Sequence, residues 1–154
     1  MTAYSSNQYA AHTPAGAHGQ GQITNHHHSV VSVPASLAAG DQCNMGFLPP
    51  GAVVLGVVLK AAGQLDSGAA PALILNVGLA GLPQLFLAGT VLVGRAVGVS
   101  ADSAITASGR LYKNSSGARQ PITVTVQAAA ATPVAGTLEL ELSYFIEDAV
   151  GSAA

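Results

Sequence analysis

The chain has 154 residues, of which 49% are hydrophobic and only 8% are charged, whereas charged residues make up about 25% of a typical globular domain. The hydrophobic content excludes disorder of the main body, and the net charge of −2 argues against nucleic-acid binding. The longest apolar stretch, Gly51 to Gly63, contains Lys60 and is too short to span a bilayer, so no membrane association is predicted.

Charge is too scarce to cover the surface of a free-standing domain. The chain has five Lys and Arg and seven Asp and Glu, although soluble domains usually cover themselves with charge. One interpretation is a compact β domain with a surface of Ser, Thr, Asn, Gln and Gly. The other, which we favour, is a surface partly covered by partners in an assembly, because depletion of charge marks the cores of interfaces.

Residues 1–28 form a segment with a composition of its own. It contains no Asp, Glu, Lys or Arg, and it is rich in Gly, Ala, Ser, Gln and His without periodicity. No basic region followed by an apolar one begins the chain, so no signal peptide is predicted. We predict an extended N-terminal arm that a partner orders, since fixing each residue costs about 1–2 kcal/mol of backbone entropy. The predicted partner-binding residues of this arm are Tyr4, Tyr9 and His12.

Residues 29–154 are predicted to form one β domain, because short β-branched runs are separated by Gly, Pro, Asn and Asp. The runs "PITVTVQ" and "TLELELSY" alternate apolar and polar residues, which is typical of strands with one buried face. The predicted strands are Ser29–Pro34, Val53–Lys60, Pro71–Leu79, one or two within Gln84–Ser100, then Ser103–Ser108, Gln120–Ala130 and Gly136–Asp148. With no helical stripe anywhere, this spacing predicts an all-β fold, an antiparallel sandwich or jelly-roll-like domain.

The stretch "LDSGA", Leu65 to Ala69, resembles the catalytic loop of an aspartic protease. In a dimeric protease of this kind, each chain contributes one carboxylate and the two share a proton. The spacing argues against this, because only twenty residues separate Gly68 from Gly89 and leave no room for a flap hairpin. A dimeric protease using Asp66 stays open as an alternative. The favoured interpretation is that Asp66 and Ser67 hydrogen-bond to the backbone and turn the chain without catalysis.

The sequence "NHHHS" places His26, His27 and His28 in succession. Imidazoles bind zinc or nickel, but successive residues of an extended strand point to opposite faces, so one chain cannot easily use all three. We therefore predict no metal site, with this run as the alternative ligand set. No nucleophile elbow or phosphate-binding loop is present, so neither an enzyme activity nor a cofactor is predicted. The lone Cys43 is predicted to be a small buried hydrophobe.

Two long stretches together carry a family resemblance. They are "FLPPGAVVLGVVLKAAGQLDSGAAPALILNVGLAG" and "PITVTVQAAAATPVAGTLELELSYF". Both resemble small structural proteins that are encoded beside the major capsid protein in tailed bacteriophages, and the resemblance extends from about Phe47 to Ile146. Its motifs are turn and packing signatures rather than chemistry.

This resemblance implies a decoration or cement protein of the phage head. Such a protein would bind the outside of the capsid and tie neighbouring major capsid protein subunits, with the N-terminal arm as a clamp. The implied partners are the major capsid protein and further copies of the chain, a trimer being favoured, without nucleic acid or membrane. The implied location is the capsid surface of the virion. The alternative is another phage structural module, from a tail, a baseplate or a head fibre.

Overall fold

The computed structural model describes residues 1–5 and 24–147 of the chain. Within these ranges there are nine β-strands and no helix. Accordingly, no helix long and apolar enough to cross a membrane is found in them. The strands are β1 (Ala3–Ser5), β2 (Asn25–Val33), β3 (Gln42–Leu48), β4 (Ala52–Ala62), β5 (Ile74–Leu79), β6 (Leu82–Thr90), β7 (Val99–Asp102), β8 (Gln120–Ala128) and β9 (Gly136–Ile146).

The strands form two sheets that enclose a common core. One sheet has the order β2-β9-β4-β7, and the other has the order β1-β3-β8-β5-β6. The short β1 runs parallel to β3, and every other pairing is antiparallel. Apart from β1, each sheet interleaves four strands from both halves of the chain, which is the jelly-roll arrangement. The predicted all-β, jelly-roll-like sandwich is confirmed.

The core is built by strands that bury every second side chain. In β9 the buried residues alternate from Leu138 to Tyr144, as the sequence pattern predicts. In β8 the apolar residues Ile122, Val124 and Val126 are buried as predicted, and Thr123 between them is buried as well. Each such aliphatic side chain stabilises the fold by about 1.5–3 kcal/mol relative to exposure. Cys43 is also fully buried, which confirms its prediction, and burial raises the pKa of its thiol to about 12.

Strand β2 begins earlier than the sequence pattern indicates. It starts at Asn25 rather than Ser29 and pairs with β9 over its whole length, from Asn25 opposite Tyr144 to Val33 opposite Gly136. Pairing with β9 holds the three histidines in the strand whatever their own preference, because strand propensity depends strongly on context. The division of the chain into an arm at 1–28 and a domain at 29–154 stays a prediction, since residues 6–23 lie outside the described residues.

Two further elements differ from expectation. Strand β3 was not anticipated, because Asn44 and Gly46 are poor strand formers. Gly46 lies at a bulge opposite β8 and has a φ of 126°, which glycine adopts without strain. The predicted strand at 103–108 is wrong: the segment is irregular, and the Asp102 carboxylate accepts a hydrogen bond from the Ala104 N–H.

The free edge of β6 is partly covered by the turn that replaces this strand. Thr106 donates its N–H to the Phe86 carbonyl at 2.9 Å and its hydroxyl to the Leu85 carbonyl. Pro83 is tolerated in β6 because an edge strand need not donate every N–H. An uncovered edge would be a template for uncontrolled strand pairing, so this turn limits self-association through β6.

Candidate functional site

The Asp66 carboxylate accepts hydrogen bonds from backbone N–H groups of two loops. It is fully buried and accepts five backbone N–H groups at 2.7–3.1 Å. Three donors belong to its own loop and two to the loop between β8 and β9; they are Gly68, Ala72, Leu73, Ala131 and Thr132. The interpretation that Asp66 orders a turn is confirmed, and the junction also joins two loops that are distant in sequence.

This environment sets the charge state of Asp66 and limits its chemistry. Burial alone would raise the pKa of the carboxyl, but the N–H groups of Thr132, Ala131, Ala72 and Gly68 together lower it below its ordinary value. The carboxylate is therefore ionised at neutral pH. Both oxygens are engaged within the chain, so neither is available to share a proton with a second copy, which the dimeric protease would require.

The three histidines of β2 do not converge. His27 points into the sandwich and is buried, whereas His26 and His28 are exposed on the opposite face. His28 Nε2 lies 3.6 Å from the Glu139 carboxylate of β9. Across residues 1–5 and 24–147, no group of three His, Cys, Asp or Glu side chains is arranged to hold a metal ion. The strand therefore places His27 on one face and His26 and His28 on the other, so the three histidines do not form one set of metal ligands.

His27 instead joins the two sheets. Its Nε2 is 2.8 Å from the Met45 carbonyl of β3, and Nδ1 is buried without a hydrogen-bond partner among the described residues. The ring occupies the space above Gly46, where an added Cβ would lie 2.6 Å from the imidazole. Burial lowers the pKa of His27; the Met45 carbonyl opposes this, and neighbouring His28 adds to it. The imidazole is therefore neutral at pH 7.

Acidification is expected to weaken the fold through His27. Because its pKa is lower in the folded than in the unfolded chain, the contribution is fully present above pH 6.5 and is lost as the pH falls below that value. We expect a loss of about 1 kcal/mol in the free energy of unfolding between pH 7.5 and pH 5.5. Urea titrations at both pH values measure it. His27→Gln should flatten the dependence and His28→Gln should retain it; an unchanged slope in His27→Gln would contradict the assignment.

The predicted partner-binding residues are only partly within the described ranges. Tyr4 lies in β1, in register with Cys43 of β3, whereas Tyr9 and His12 lie outside the described residues. The start of the chain is attached to the sandwich, because Thr2 donates its N–H to Asp41 Oδ1 at 2.8 Å and accepts the Gln42 N–H at 3.0 Å. These backbone contacts place residues 1–5 beside β3.

Sequence reasoning missed an exposed apolar loop that connects β6 to β7. We define the apolar loop as Val91, Leu92 and Val97 together with Val99, the first residue of β7. Leu92 is 58% exposed, Val97 87% and Val99 76%. The loop joins the edge strand of one sheet to the edge strand of the other. Large aliphatic side chains grouped in this way mark interaction surfaces more often than isolated ones do. The only signal in the sequence was a set of Val and Leu residues between glycines, which also suits a strand.

The apolar loop is held in place by backbone contacts. The Gly94 carbonyl accepts the N–H groups of Leu65 and Asp66 at 2.7 and 2.9 Å, and its own N–H donates to Ser100 Oγ. Gly94 has a φ of 78°, and an added Cβ would lie 3.0 Å from the Leu65 side chain. Arg95 turns back onto the sandwich, where Nε donates to the Leu73 carbonyl at 2.7 Å. A preordered surface loses less entropy when it binds.

Comparison with known proteins gives structural relatives. No protein-family model and no curated protein matches the sequence. A chain of the cyanophage Pam1 capsid asymmetric unit is 28% identical with a TM-score of 0.74, over 86% of this chain and 91% of that one. A chain from the capsid of Ralstonia phage GP4 shares the fold at 24% identity and a TM-score of 0.79, over 95% of this chain and 99% of that one. The resemblance inferred from the sequence is confirmed to this extent: the chain is structurally related to phage capsid proteins.

Proposed function

We propose that the chain is a structural protein of a phage virion that binds the outside of the capsid and cements neighbouring major capsid protein subunits. The observation that carries this proposal is the similarity to a chain of the cyanophage Pam1 capsid asymmetric unit over most of both chains. The proposal assigns no catalytic role. It is consistent with Asp66, whose carboxylate oxygens are both bound to backbone N–H groups.

The surface chemistry supports a protein that works inside an assembly. Charged residues are only 8% of the chain, and the apolar loop exposes aliphatic side chains on a preordered backbone. Desolvating aliphatic groups is favourable by about 25 cal/mol per Å². We propose that the protein occupies the capsid surface as a homo-oligomer, with a trimer favoured, and that repetition over the lattice makes individually weak contacts effective.

The N-terminal arm is the proposed clamp. The described residues on either side of 6–23 belong to strands of the same sandwich: Ser5 ends β1, and Asn25 begins β2. Contacts made by the intervening residues would therefore be tethered to the rigid body from both ends. Tyr9 and His12 are the proposed anchors within this segment, and Tyr4 would act from β1.

Replacing residues 6–23 with an 18-residue Gly/Ser linker should weaken capsid binding while preserving the fold. The linker keeps β1 and β2 but removes every side chain of the clamp segment. We expect the intact chain to co-sediment with capsids that lack it at close to the stoichiometry of capsid protein. We expect the linker variant to bind about tenfold more weakly, as for the loss of one of two linked binding elements. Thermal unfolding of both proteins provides the check on folding.

The outcomes separate the parts of the proposal. Equal binding by the linker variant would contradict the clamp but leave the capsid assignment intact. If neither protein binds capsids, the head assignment is wrong, and a tail, baseplate or head-fibre role becomes the alternative to test. Binding at only a few copies per particle would also contradict a cement role, since cementing requires copies comparable with capsid protein.

A further inference from the structure

The two sheets differ completely in the charge of their strands. The five strands β1, β3, β5, β6 and β8 contain no Asp, Glu, Lys, Arg or His. Within residues 1–5 and 24–147, the four strands of the other sheet contain all the groups of these types that lie in strands: His26, His27, His28, Lys60, Asp102, Glu139 and Glu141. This separation is not visible along the sequence, because strands of the two sheets are interspersed in chain order, and only β5 and β6 are consecutive strands of one sheet.

The polar side chains on the outer face of the five-stranded sheet are amides and hydroxyls. Thr125 of β8 is opposite Gln42 of β3 on one side and Asn76 of β5 on the other, so the three side chains form a row across the sheet. Gln127 extends this face towards β6, where its Oε1 accepts a hydrogen bond from Gln84 at 3.4 Å. Asn76 is buried and its Oδ1 accepts the Gly89 N–H at 2.6 Å, and the Thr125 hydroxyl is also buried, so neither is open to a partner. We define the neutral face by the outward amides that are accessible, Gln42, Gln84 and Gln127.

The outer face of the four-stranded sheet is ionic. Lys60 of β4 donates a hydrogen bond to the Glu141 carboxylate of β9, and His28 of β2 lies beside Glu139. The Lys60 ammonium lowers the pKa of Glu141, so this carboxylate is ionised at neutral pH. These side chains are partly exposed, and water solvates them. Covering this face would require removing water from several charges at a cost of several kcal/mol for each unpaired ion.

Covering the neutral face does not require removing water from charged groups. The exposed amides of Gln84 and Gln127 and the half-buried amide of Gln42 exchange hydrogen bonds with water for hydrogen bonds with a partner at little net cost. Arg119, just before β8, has its guanidinium 5.1 Å from the centre of the Phe47 ring. This contact places the cation beside Phe47, near the end of β3. The two outer faces of one sandwich therefore differ in how readily a protein can cover them.

We infer that the neutral face of the five-stranded sheet is the surface that docks on the major capsid protein, and that the ionic face points to solvent. The inference rests on the proposed function. Its partner is an uncharged surface of capsid protein that offers hydrogen-bonding groups, since a neutral face has no charge with which to compensate buried ions. The charged face then gives the decorated particle a hydrated exterior.

Charges of both signs placed on the neutral face test this orientation. Gln127 is exposed, so Gln127→Lys and Gln127→Glu should fold normally. The matched controls are Ser32→Lys and Ser32→Glu, at an exposed position on the ionic face. In co-sedimentation with capsids that lack the protein, we expect both Gln127 variants to bind about tenfold or more weakly, because each buries an unpaired charge. Both Ser32 variants should bind as the unmodified chain does.

Each other outcome overturns a specific part. If the unmodified chain binds capsids and the Gln127 variants bind equally well, the orientation is wrong while the proposed function stands. Weaker binding by only one sign would contradict an uncharged partner surface. If sedimentation velocity shows that the Gln127 variants dissociate an oligomer, the face pairs with a second copy of the chain instead. Failure of the unmodified chain to bind would contradict the proposed function itself.

Discussion

Asp66→Asn is expected to lower the free energy of unfolding by about 3–5 kcal/mol, because at least two buried N–H groups lose their acceptor at about 1–3 kcal/mol each. Each carboxylate oxygen accepts at least two backbone N–H groups, from Gly68 and Thr132 on Oδ1 and from Ala72, Leu73 and Ala131 on Oδ2. An Asn amide offers one oxygen, so either orientation places its NH₂ group against buried donors. Urea denaturation followed by circular dichroism measures the change.

The matched control for this variant is Asp102→Asn. Asp102 also accepts a backbone N–H, from Ala104 at 3.0 Å, but at an exposed site. We expect this control to cost about 1 kcal/mol or less, as for a single solvated cap. Similar urea midpoints for Asp66→Asn and Asp102→Asn would mean that water replaces the hydrogen bonds lost at Asp66. They would also contradict its role as the junction between the two loops.

Asn114→Ala is expected to cost about 3 kcal/mol, since it leaves buried carbonyl groups without donors. Asn114 is fully buried, and its Nδ2 donates towards the carbonyls of Leu48 and Pro49 at 3.0 Å and of Ala118 at 2.8 Å. Its Oδ1 accepts the Ser116 hydroxyl at 2.7 Å. The substitution therefore removes several hydrogen bonds and opens a small cavity. Equilibrium unfolding in urea again provides the measurement.

Ser115→Ala is the control for Asn114, because Ser115 is the exposed neighbour in the same turn. We expect the free energy of unfolding of this variant to change by no more than about 0.5 kcal/mol. A comparable loss in both variants would show that the turn conformation matters rather than the buried amide. A negligible loss in Asn114→Ala would mean that the carbonyls find other donors when the loop relaxes.

Asp66 and Asn114 lie near opposite ends of β4. Asn114 exchanges backbone hydrogen bonds with Gly51 and Ala52 at the start of β4, and Asp66 follows its end. Each collects backbone groups of irregular segments that strand pairing leaves unsatisfied. Hydrogen bonds in the irregular segments at both ends of β4 favour a fixed orientation of the two outer faces of the sandwich. The proposed docking surface benefits from this, because a rigid surface loses little entropy on binding.

The sequence alone determined the class of fold and the composition of the core. Alternation in "TLELELSY" and "PITVTVQ" correctly placed Leu140 and Val124 inside, because a strand turns successive side chains to opposite faces and the pattern is therefore local. The turn chemistry of Asp66 was also readable, since Asp and Gly favour such turns through contacts a few residues away. The sequence does not predict strand β3, because Gly46 at its bulge interrupts the alternation of apolar and polar residues.

Only the tertiary structure decided which strands share a sheet. That choice brings Asp66 to Ala131, turns His27 inward against Met45, and gathers strand-borne charge into one sheet. None of these is a property of a short window, because each joins residues that are far apart in the chain or belong to different sheets. The pairing follows from how all the apolar faces close over one core, so long-range contacts arise together rather than from any single segment. The neutral face is a consequence of that closure.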